Sequence, residues 1–431
     1  MPRLPDPRFA PDCAIEVDGR PLPARAGESV AVALLAAGEA LVARSAKYHR
    51  PRGPFCLAGT CHACLARIDG VPNRRTCRVA CRPGLAVESQ NALPSARRDV
   101  LGAIDLVYAG GLDVHHLATW SQPANRGAIA FSRRLAGTGT LASAPPPPVG
   151  LAVEEEPFDA LVVGGGPAGL AAAEALAAAG LRLLLAESDR ALGGRLRAAL
   201  ALPGDPPLGW ASDVAAGVTR AGGQAQTGLT ALGVWRDGAS PLVLLRVEEE
   251  PRRLRLVRAP RLVLATGGVA LPPLFPRNDL PGIFAARAVA RALAEEGLVP
   301  GERALVLGDG AEAGAVAERL AAAGMTVRRA EEVTEARGRH RISSARIGGG
   351  HVRCDTLAFA GPRAPASELA RQVGAEVERE PASGGYRVRA AADGATAVRG
   401  VRAAGEVTGP MSAADAAAAG RRAGEAARAD R

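Results

Sequence analysis

Five of the seven cysteines in this 431-residue chain lie between positions 56 and 81. In the stretch CLAGTCHACLARIDGVPNRRTC, Cys56, Cys61, Cys64 and Cys77 are spaced C-x4-C-x2-C-x12-C. The first three positions have the spacing of a loop whose thiolates wrap a [2Fe-2S] cluster, which a later cysteine closes. A structural zinc site would pair two C-x2-C knuckles, and one is present here. Disulfides suit an oxidising compartment, which nothing in the chain suggests. Gly53 and Gly59 can turn backbone N–H groups toward sulfide and thiolate charge. Cys77 is the favoured fourth ligand, because the turn from Asp69-Gly70 to Asn73 returns a short hairpin directly before it. Cys81 is the alternative. Cys13 and Cys354 read as small buried hydrophobes.

A second group of chemically capable residues is VVGGGPAGLAAAEALAAAGLRLLLAES. It follows an apolar run and opens a helix, the setting in which a glycine-rich turn binds a dinucleotide. Gly164 makes the tight turn, Gly166 admits the pyrophosphate, and Gly169 lets helix and strand approach, with Pro167 and Ala168 opening the helix. Glu187 ends the next strand, where a carboxylate accepts the ribose hydroxyls; that favours FAD or NAD over NADP. A weaker copy, ALVLGDGAEAGAVAERLAAAGMTVRRAEE, carries Gly308, Gly310 and Gly314, with Ala313 at the third glycine's usual place. It reads as an NAD(P) site or a degenerate one, and Arg328, Arg329, Glu331 and Glu332 leave its ribose reader open.

The elements that must hold these residues follow from pattern. CAIEVDGRPLPARAGESVAVALLAAG reads as strand, Asp18-Gly19 turn, strand, and a helix opened by Ser29. This is the start of a small β-grasp, ferredoxin-like domain over residues 1–95. Residues 96–155 read as a helical and Pro-rich linker, with Pro145 to Pro148 a stiff spacer before the acidic triplet Glu154-Glu155-Glu156. Strand, glycine turn, helix and strand then recur twice. The fold class is therefore α/β: a [2Fe-2S] β-grasp domain followed by two Rossmann-like domains, the second inserted in the first. The expected segments are 156–270 and 386–431 for the FAD-binding domain and 271–385 for the NAD(P)-binding-like domain.

Composition narrows the function. Aromatic residues are 3% of the chain, too few for a surface that stacks single-stranded nucleic acid, and no nucleic-acid partner is expected. The net charge of +9 is carried by arginines spread along the sequence, Lys47 being the sole lysine. MPRLPDPRFAPDC lacks the apolar core of a secretory leader, and Gly and Pro interrupt the longest apolar tract, so no membrane span and a cytoplasmic location are expected. No Ser/His/Asp set stands out, and catalytic residues are unknown. His49, His115 and His116 read as packing, surface or cluster-loop supports.

The GGGPAG turn, ALGGR (Ala191 to Arg195), LATGG (Leu264 to Gly268) and AAGEVTG (Ala403 to Gly409) together resemble the pyridine nucleotide–disulfide reductase fold. That resemblance implies further dinucleotide contacts at Gly194, Arg195, Thr266, Gly267, Gly405 and Glu406. The last of these faces the flavin ribityl chain in the fold, usually as Asp. No redox cysteine pair accompanies these motifs. More narrowly, VDGRPLPARAGESVAVALLAAG, KYHRPRGPFCLAGTCHACLARIDGVPN, DLPGIFAARAVARALAEEGLVPGERALVLGD and CDTLAFAGPRAP resemble the α subunits of heteromeric sarcosine oxidases, proline/hydroxyproline dehydrogenases and opine oxidases, and the hydrogen cyanide synthase subunits fused end to end. The resemblance implies an FAD-containing β subunit that oxidises the C–N bond of a small amine or amino acid. It implies FAD at the first site, with NAD or ATP there in some members, and FMN at a subunit interface. The expected function is an α subunit of a flavin- and iron–sulfur-dependent amine dehydrogenase or oxidase. A stand-alone NAD(P)H-dependent reductase and a nucleotide-binding scaffold are the alternatives.

Overall fold

The computed structural model describes residues 3–103, 105, 116, 118–135, 153–207, 209–238, 240–248 and 253–429. His115 and the Pro145 to Pro148 spacer lie outside them. The contacts divide the chain into two compact units, residues 1–145 with 272–361, and residues 146–271 with 362–431.

In the first unit, β1 (Cys13–Val17) and β2 (Arg20–Ala24) pair antiparallel about Asp18 and Gly19, both with positive φ as a tight hairpin requires. Helix α1 (Val30–Ala36) starts where Ser29 Oγ accepts the Val32 N–H, satisfying one of the free donors of its first turn. Then come β3 (Leu65–Ile68), β4 (Val71–Arg75) and β5 (Ala86–Glu88), giving a sheet ordered β2-β1-β5-β3-β4 in which β1 and β5 run parallel. Ile15, Leu22, Val30, Leu34, Ile68 and Val87 fill the space between α1 and this sheet. This is a β-grasp domain. A further helix, α2 (Gln122–Leu135), follows it.

The second unit opens with β6 (Val153–Pro157), β7 (Ala160–Val163), α3 (Pro167–Ala178) and β8 (Leu183–Ala186). It continues through α4 (Trp210–Arg220), β9 (Gln224–Gln226), β10 (Leu229–Asp237), β11 (Ser240–Val247), β12 (Arg253–Arg258) and β13 (Arg261–Leu264). The acidic triplet, expected to close a linker, lies in a strand instead. β6 pairs parallel with β12, where Arg258 and Arg255 bind Glu155 and Glu156, each at 2.8 Å.

The inserted segment belongs to the first unit: β14 (Ile283–Ala285), α5 (Ala286–Glu296), β15 (Arg303–Leu307), α6 (Ala311–Ala322), β16 (Thr326–Ala330) and β17 (Thr356–Phe359). Its parallel sheet is ordered β14-β17-β15-β16. The β-grasp domain is bound to it directly. Leu4 N–H donates to Gly297 O at 2.8 Å, Ala285 N–H to Phe55 O at 3.0 Å, and Arg52 pairs with Asp279 at 2.9 Å. Beneath the N-terminus, the buried Glu28 holds Arg3 at 2.7 Å, and the buried Glu296 of α5 pairs with Arg25.

From residue 362 the chain returns to the second unit, so 362–385, grouped by sequence with the inserted domain, packs with the first dinucleotide fold. Strand β18 (Val401–Ala403) completes a parallel sheet ordered β9-β8-β7-β13-β18, and α7 (Ala413–Ala427) covers it beside α3. β7 and β8 are buried at every position because both faces are covered. Ala160 and Val162 face α3 and α7, while Leu161 and Leu184 face Val243 and Leu245 of β11. The two helices touch through small residues: a Cβ on Gly420 would lie 1.9 Å from Ala168 O. Among the described residues, no helix is long and apolar enough to cross a membrane.

Candidate functional site

The cysteine loop connects the end of the hairpin at residues 43–52 to β3. Its turns bring Cys56, Cys61 and Cys64 together, and the short turn after β4, Thr76–Arg78, adds Cys77. Side-chain hydrogen bonds join Cys56 to Cys61 and Cys77, and Cys64 to Cys77. Cys56, Cys64 and Cys77 are buried, and Cys61 is half-buried. Thr76 fastens the fourth member, since both its N–H and its hydroxyl donate to Cys64 O, at 2.9 and 3.1 Å. Ala58 N–H points to the Cys56 sulfur at 3.4 Å. The Cys56 thiol is held well below its ordinary range by the bonds from Cys61 and Cys77, and that of Cys64 is lowered to about 7 by the bond from Cys77. The Cys61 and Cys77 thiols are pushed up, each chiefly by its bond to the Cys56 sulfur.

This donor set fits a two-iron cluster. Among the described residues no three or more His, Cys, Asp and Glu side chains converge on a point for a single metal ion. A [2Fe-2S] cluster needs none, because four cysteines serve two irons, and here the four thiols form one contact series, Cys61–Cys56–Cys77–Cys64. Cys81 sits apart. It packs with Ile15, Val30, Leu34 and Val87, its N–H donates to Glu28 O at 2.7 Å, and burial pushes its thiol up to about 12.

In the second unit the first glycine turn joins β7 to α3, whose N-cap is Gly166 and whose first residue is Pro167. A Cβ on Gly169 would lie 1.7 Å from Gly164 O, so the helix approaches the turn only because that residue is glycine. Glu187 follows β8. Its Oε2 accepts the Gly165 N–H at 2.6 Å and its Oε1 the Asp189 N–H at 2.7 Å, which aims the carboxylate across the turn. Gly193 N–H donates to Gly165 O at 2.8 Å, bringing the ALGGR loop, and with it Gly194, over the same turn. Thr266 Oγ1 donates to Ala366 O at 2.6 Å, next to Gly267. Glu406, preceded by Gly405, accepts from Arg195 at 2.9 Å and Arg363 at 3.4 Å, while Arg195 also donates to the Met411 carbonyl at 2.6 Å. The structure thus gathers the residues of the four motifs at one end of the parallel sheet, and it engages Glu406 with two guanidinium groups.

The second glycine turn joins β15 to α6. Gly308 N–H donates to Ala330 O at 2.9 Å, as Gly164 N–H does to Ala186 O at 2.8 Å. That equivalence makes Glu331 the counterpart of Glu187. Arg329 reaches over the turn, its Nη2 donating to Asp309 O at 3.4 Å and its Nη1 lying 3.8 Å from where a Gly314 Cβ would stand. Glu312, in the first turn of α6, pairs with Arg287 at 2.8 Å. A carboxylate there opposes a pyrophosphate at the helix N-terminus.

The motifs do not announce every residue of interest. Arg363 reaches Glu406 from a distant segment, and no local spacing foretells it. His49, buried with φ +53°, pairs through Nδ1 with Asp99 at 2.9 Å, and Asp99 in turn accepts the Leu93 N–H at 3.0 Å. Arg44 donates to the carbonyls of Ala96 and His49 and to His340 Nδ1 at 3.0 Å. These groups hold the cluster domain's 89–101 segment in place. His116 is exposed.

Comparison with known proteins agrees with this geometry. Residues 11–92 match the model of a 2Fe-2S iron-sulfur cluster binding domain, and residues 162–216 that of an NAD(P)-binding Rossmann-like domain. The chain is 32% identical over 329 residues to the sarcosine oxidase subunit alpha of Rhizobium meliloti (strain 1021), covering 72% of this chain and 33% of that one. It therefore spans about a third of the length of that relative. The hydrogen cyanide synthase subunit HcnA of Pseudomonas aeruginosa is 42% identical over 80 residues, 19% of this chain and 76% of that subunit. In fold, the chain resembles the L-proline dehydrogenase of P. horikoshii, with a TM-score of 0.75 at 21% identity over 98% of this chain and 74% of that one. The chain belongs among the homologues of the sarcosine oxidase α subunits, with a 2Fe-2S cluster-binding domain ahead of a Rossmann-like dinucleotide-binding fold.

Proposed function

We propose that this chain is the electron-handling α subunit of a complex that oxidises the C–N bond of an amine or amino acid. The observation that carries this reading is that four thiols meet in one contact series, three from the loop before β3 and one from the turn after β4, in a chain that also builds a complete dinucleotide turn. Cys56, Cys61, Cys64 and Cys77 are assigned as cluster ligands. The turn from Gly164 to Gly169, with Glu187, Gly194, Thr266, Gly267 and Gly405, is assigned to an FAD, with NAD or ATP as rival occupants of the same turn.

A flavin takes electrons as a pair and releases them singly, whereas a two-iron cluster carries one at a time. The residues of this chain bind and orient. The α3 N-terminus presents free N–H groups to phosphate, and Glu187, already aimed by two backbone N–H groups, accepts ribose hydroxyls. Arg195 and Arg363 pair with Glu406 where the related fold meets a ribityl chain, so an FAD there would meet a carboxylate already held by two guanidinium groups. Names of the relatives support a second, amine-oxidising FAD subunit and a small amine substrate, because two of them are called sarcosine oxidase subunit alpha.

The test is anaerobic addition of candidate amines to the chain purified with its partner from the native host. The expected result is an electron paramagnetic resonance signal of a reduced two-iron cluster, absent when the chain is handled alone. Denaturation of the same sample identifies the nucleotide released. A second reading, direct NAD(P)H-dependent reduction, is favoured by Glu331 at the second turn. Rapid cluster reduction by NADH in the isolated chain would select it.

A further inference from the structure

Among the four assigned ligands, Cys61 alone is not buried, so a cluster held there comes nearest to the surface at that residue. Ala58, Thr60 and His62, beside it in the loop, are exposed. Two arginines flank this spot. Arg75, the last residue of β4, donates through Nη2 to His62 Nε2 at 3.1 Å. The Arg78 side chain lies across Gly59, where a Cβ would stand 2.6 Å from Arg78 Cδ, so glycine at 59 makes room for it. The fixed charge here has one sign. Residues 53–64 and 70–78 contain Arg74, Arg75 and Arg78 and no Asp or Glu. Of the neighbouring carboxylates, Asp69 is paired with Arg82 at 2.6 Å, and Asp279, which shares a cleft with Cys61, with Arg52 at 2.9 Å. A one-electron centre that reaches the surface under a positive rim suits a protein with negative charge around its own redox group. Complementary potentials speed that encounter and set its orientation. The net charge of +9 adds to the steering.

We propose that the surface around Cys61, bounded by His62, Arg75 and Arg78, docks an acidic one-electron carrier protein that takes electrons from the cluster. The proposal rests on the cluster assignment above. Each transfer moves one electron from the reduced cluster, which returns to its diferric form, to one oxidised carrier. No bond forms or breaks in that step, and no proton moves. Oxidation of one amine to its imine releases two electrons and two protons; two carriers take the electrons and solvent takes the protons. The rival role for the arginines is to balance the negative charge of the thiolates, which would show in the cluster's reduction potential and not in docking.

The test uses the full chain with its iron quantified, and titrates it by isothermal calorimetry with an acidic c-type cytochrome and, separately, with a basic one of similar size. The expected result is saturable one-to-one binding of the acidic cytochrome alone, weakened about tenfold or more between low and physiological ionic strength. Arg75→Gln and Arg78→Gln, which remove charge and keep most of the side chain, should each weaken it about threefold, the value of one exposed charge contact. Cluster absorbance and midpoint potential should stay as in wild type. Arg20→Gln makes the same charge change on β2, the sheet edge opposite β4, and should leave affinity unaltered. Where Arg78→Gln loses its cluster because its stem no longer covers Gly59, Arg75→Gln alone decides. No binding of the acidic cytochrome to iron-loaded chain, equal binding of both cytochromes, or wild-type affinity in the folded Arg75 variant overturns the proposal; a shifted potential with wild-type affinity assigns the arginines to the cluster's own charge. A folded chain that binds the acidic cytochrome but holds no iron overturns the cluster assignment instead.

Discussion

At the scale of residues, Cys77 and Cys81 face different sides of α1, and that difference is the ground for proposing Cys77 as the fourth ligand. Cys77 lies against Cys64 and Ala31, whereas Cys81 lies among Ile15, Leu34 and Val87 in the domain core. Cys77→Ser should therefore remove or strongly bleach the visible cluster absorbance. Cys81→Ala should keep the iron content and cost about 1 kcal/mol of stability, as removal of a buried group does; equal iron loss in both variants would reverse the assignment. The spacing of the cysteines already separated cluster from zinc, and the returning hairpin favoured Cys77 over Cys81; the packing of the two side chains adds to that preference. Glu187 was legible for the same reason as the glycines, its place after a short strand. Removing its carboxylate in Glu187→Ala should weaken nucleotide retention about tenfold or more, the value of at least one charged hydrogen bond, measured as nucleotide released per chain. Glu331 was not legible, because Arg328, Arg329 and Glu332 crowd it in sequence and only the Gly308–Ala330 hydrogen bond fixes its register.

One residue carries a pH dependence. Burial, then the charges of Arg44, Arg339 and Arg97, hold the His340 imidazole below its ordinary value. Arg44 donates to its Nδ1 at 3.0 Å, which requires the neutral ring. A folded value lower than the unfolded one means that the unfolded chain binds the proton more readily. The contribution of His340 is thus fully present above about pH 6.5, the unperturbed value, and is lost as pH falls through the lower folded value. Urea midpoints of wild type should fall between pH 7.5 and pH 5.5 by more than those of His340→Gln. An identical slope in both proteins would remove this role.

At the scale of elements, the strand–turn–helix pattern predicted both glycine turns and the β-grasp hairpin, since each is set by local chemistry: a left-handed turn, a serine cap, a buried strand. The acidic triplet misled because three glutamates after a proline run read as the end of a linker, and the arginine partners of Glu155 and Glu156 on β12 are about a hundred residues away. The same blindness applies to the seam between the cluster domain and the inserted segment. Glu28, whose side chain is fully enclosed, binds Arg3 and accepts the Arg25 N–H at 2.7 Å, and Arg25 pairs with Glu296. Glu28→Ala leaves Arg3 without its carboxylate and should destabilise the first unit by about 3 kcal/mol, in the range for breaking a buried pair. Chemical denaturation followed by cluster absorbance reads this, and a loss under about 0.5 kcal/mol, typical of a surface change, would show the network to be surface-like.

At the scale of the whole molecule, the chain is not three beads in sequence order. The cluster domain and the second Rossmann-like segment form one compact unit, and the first dinucleotide fold, closed by the C-terminal residues, forms the other. The interrupted βαβ pattern points to an insertion, but the return to the second unit comes at residue 362 rather than the expected 386, and no local pattern reveals which piece the cluster domain adopts as its neighbour. The account stands on the cluster. Iron and acid-labile sulfide should be measured on anaerobically purified chain, together with the electron paramagnetic resonance spectrum after dithionite. We predict about two of each per chain and a rhombic low-temperature signal; stoichiometric zinc, or neither iron nor sulfide in a folded chain, would contradict the central claim.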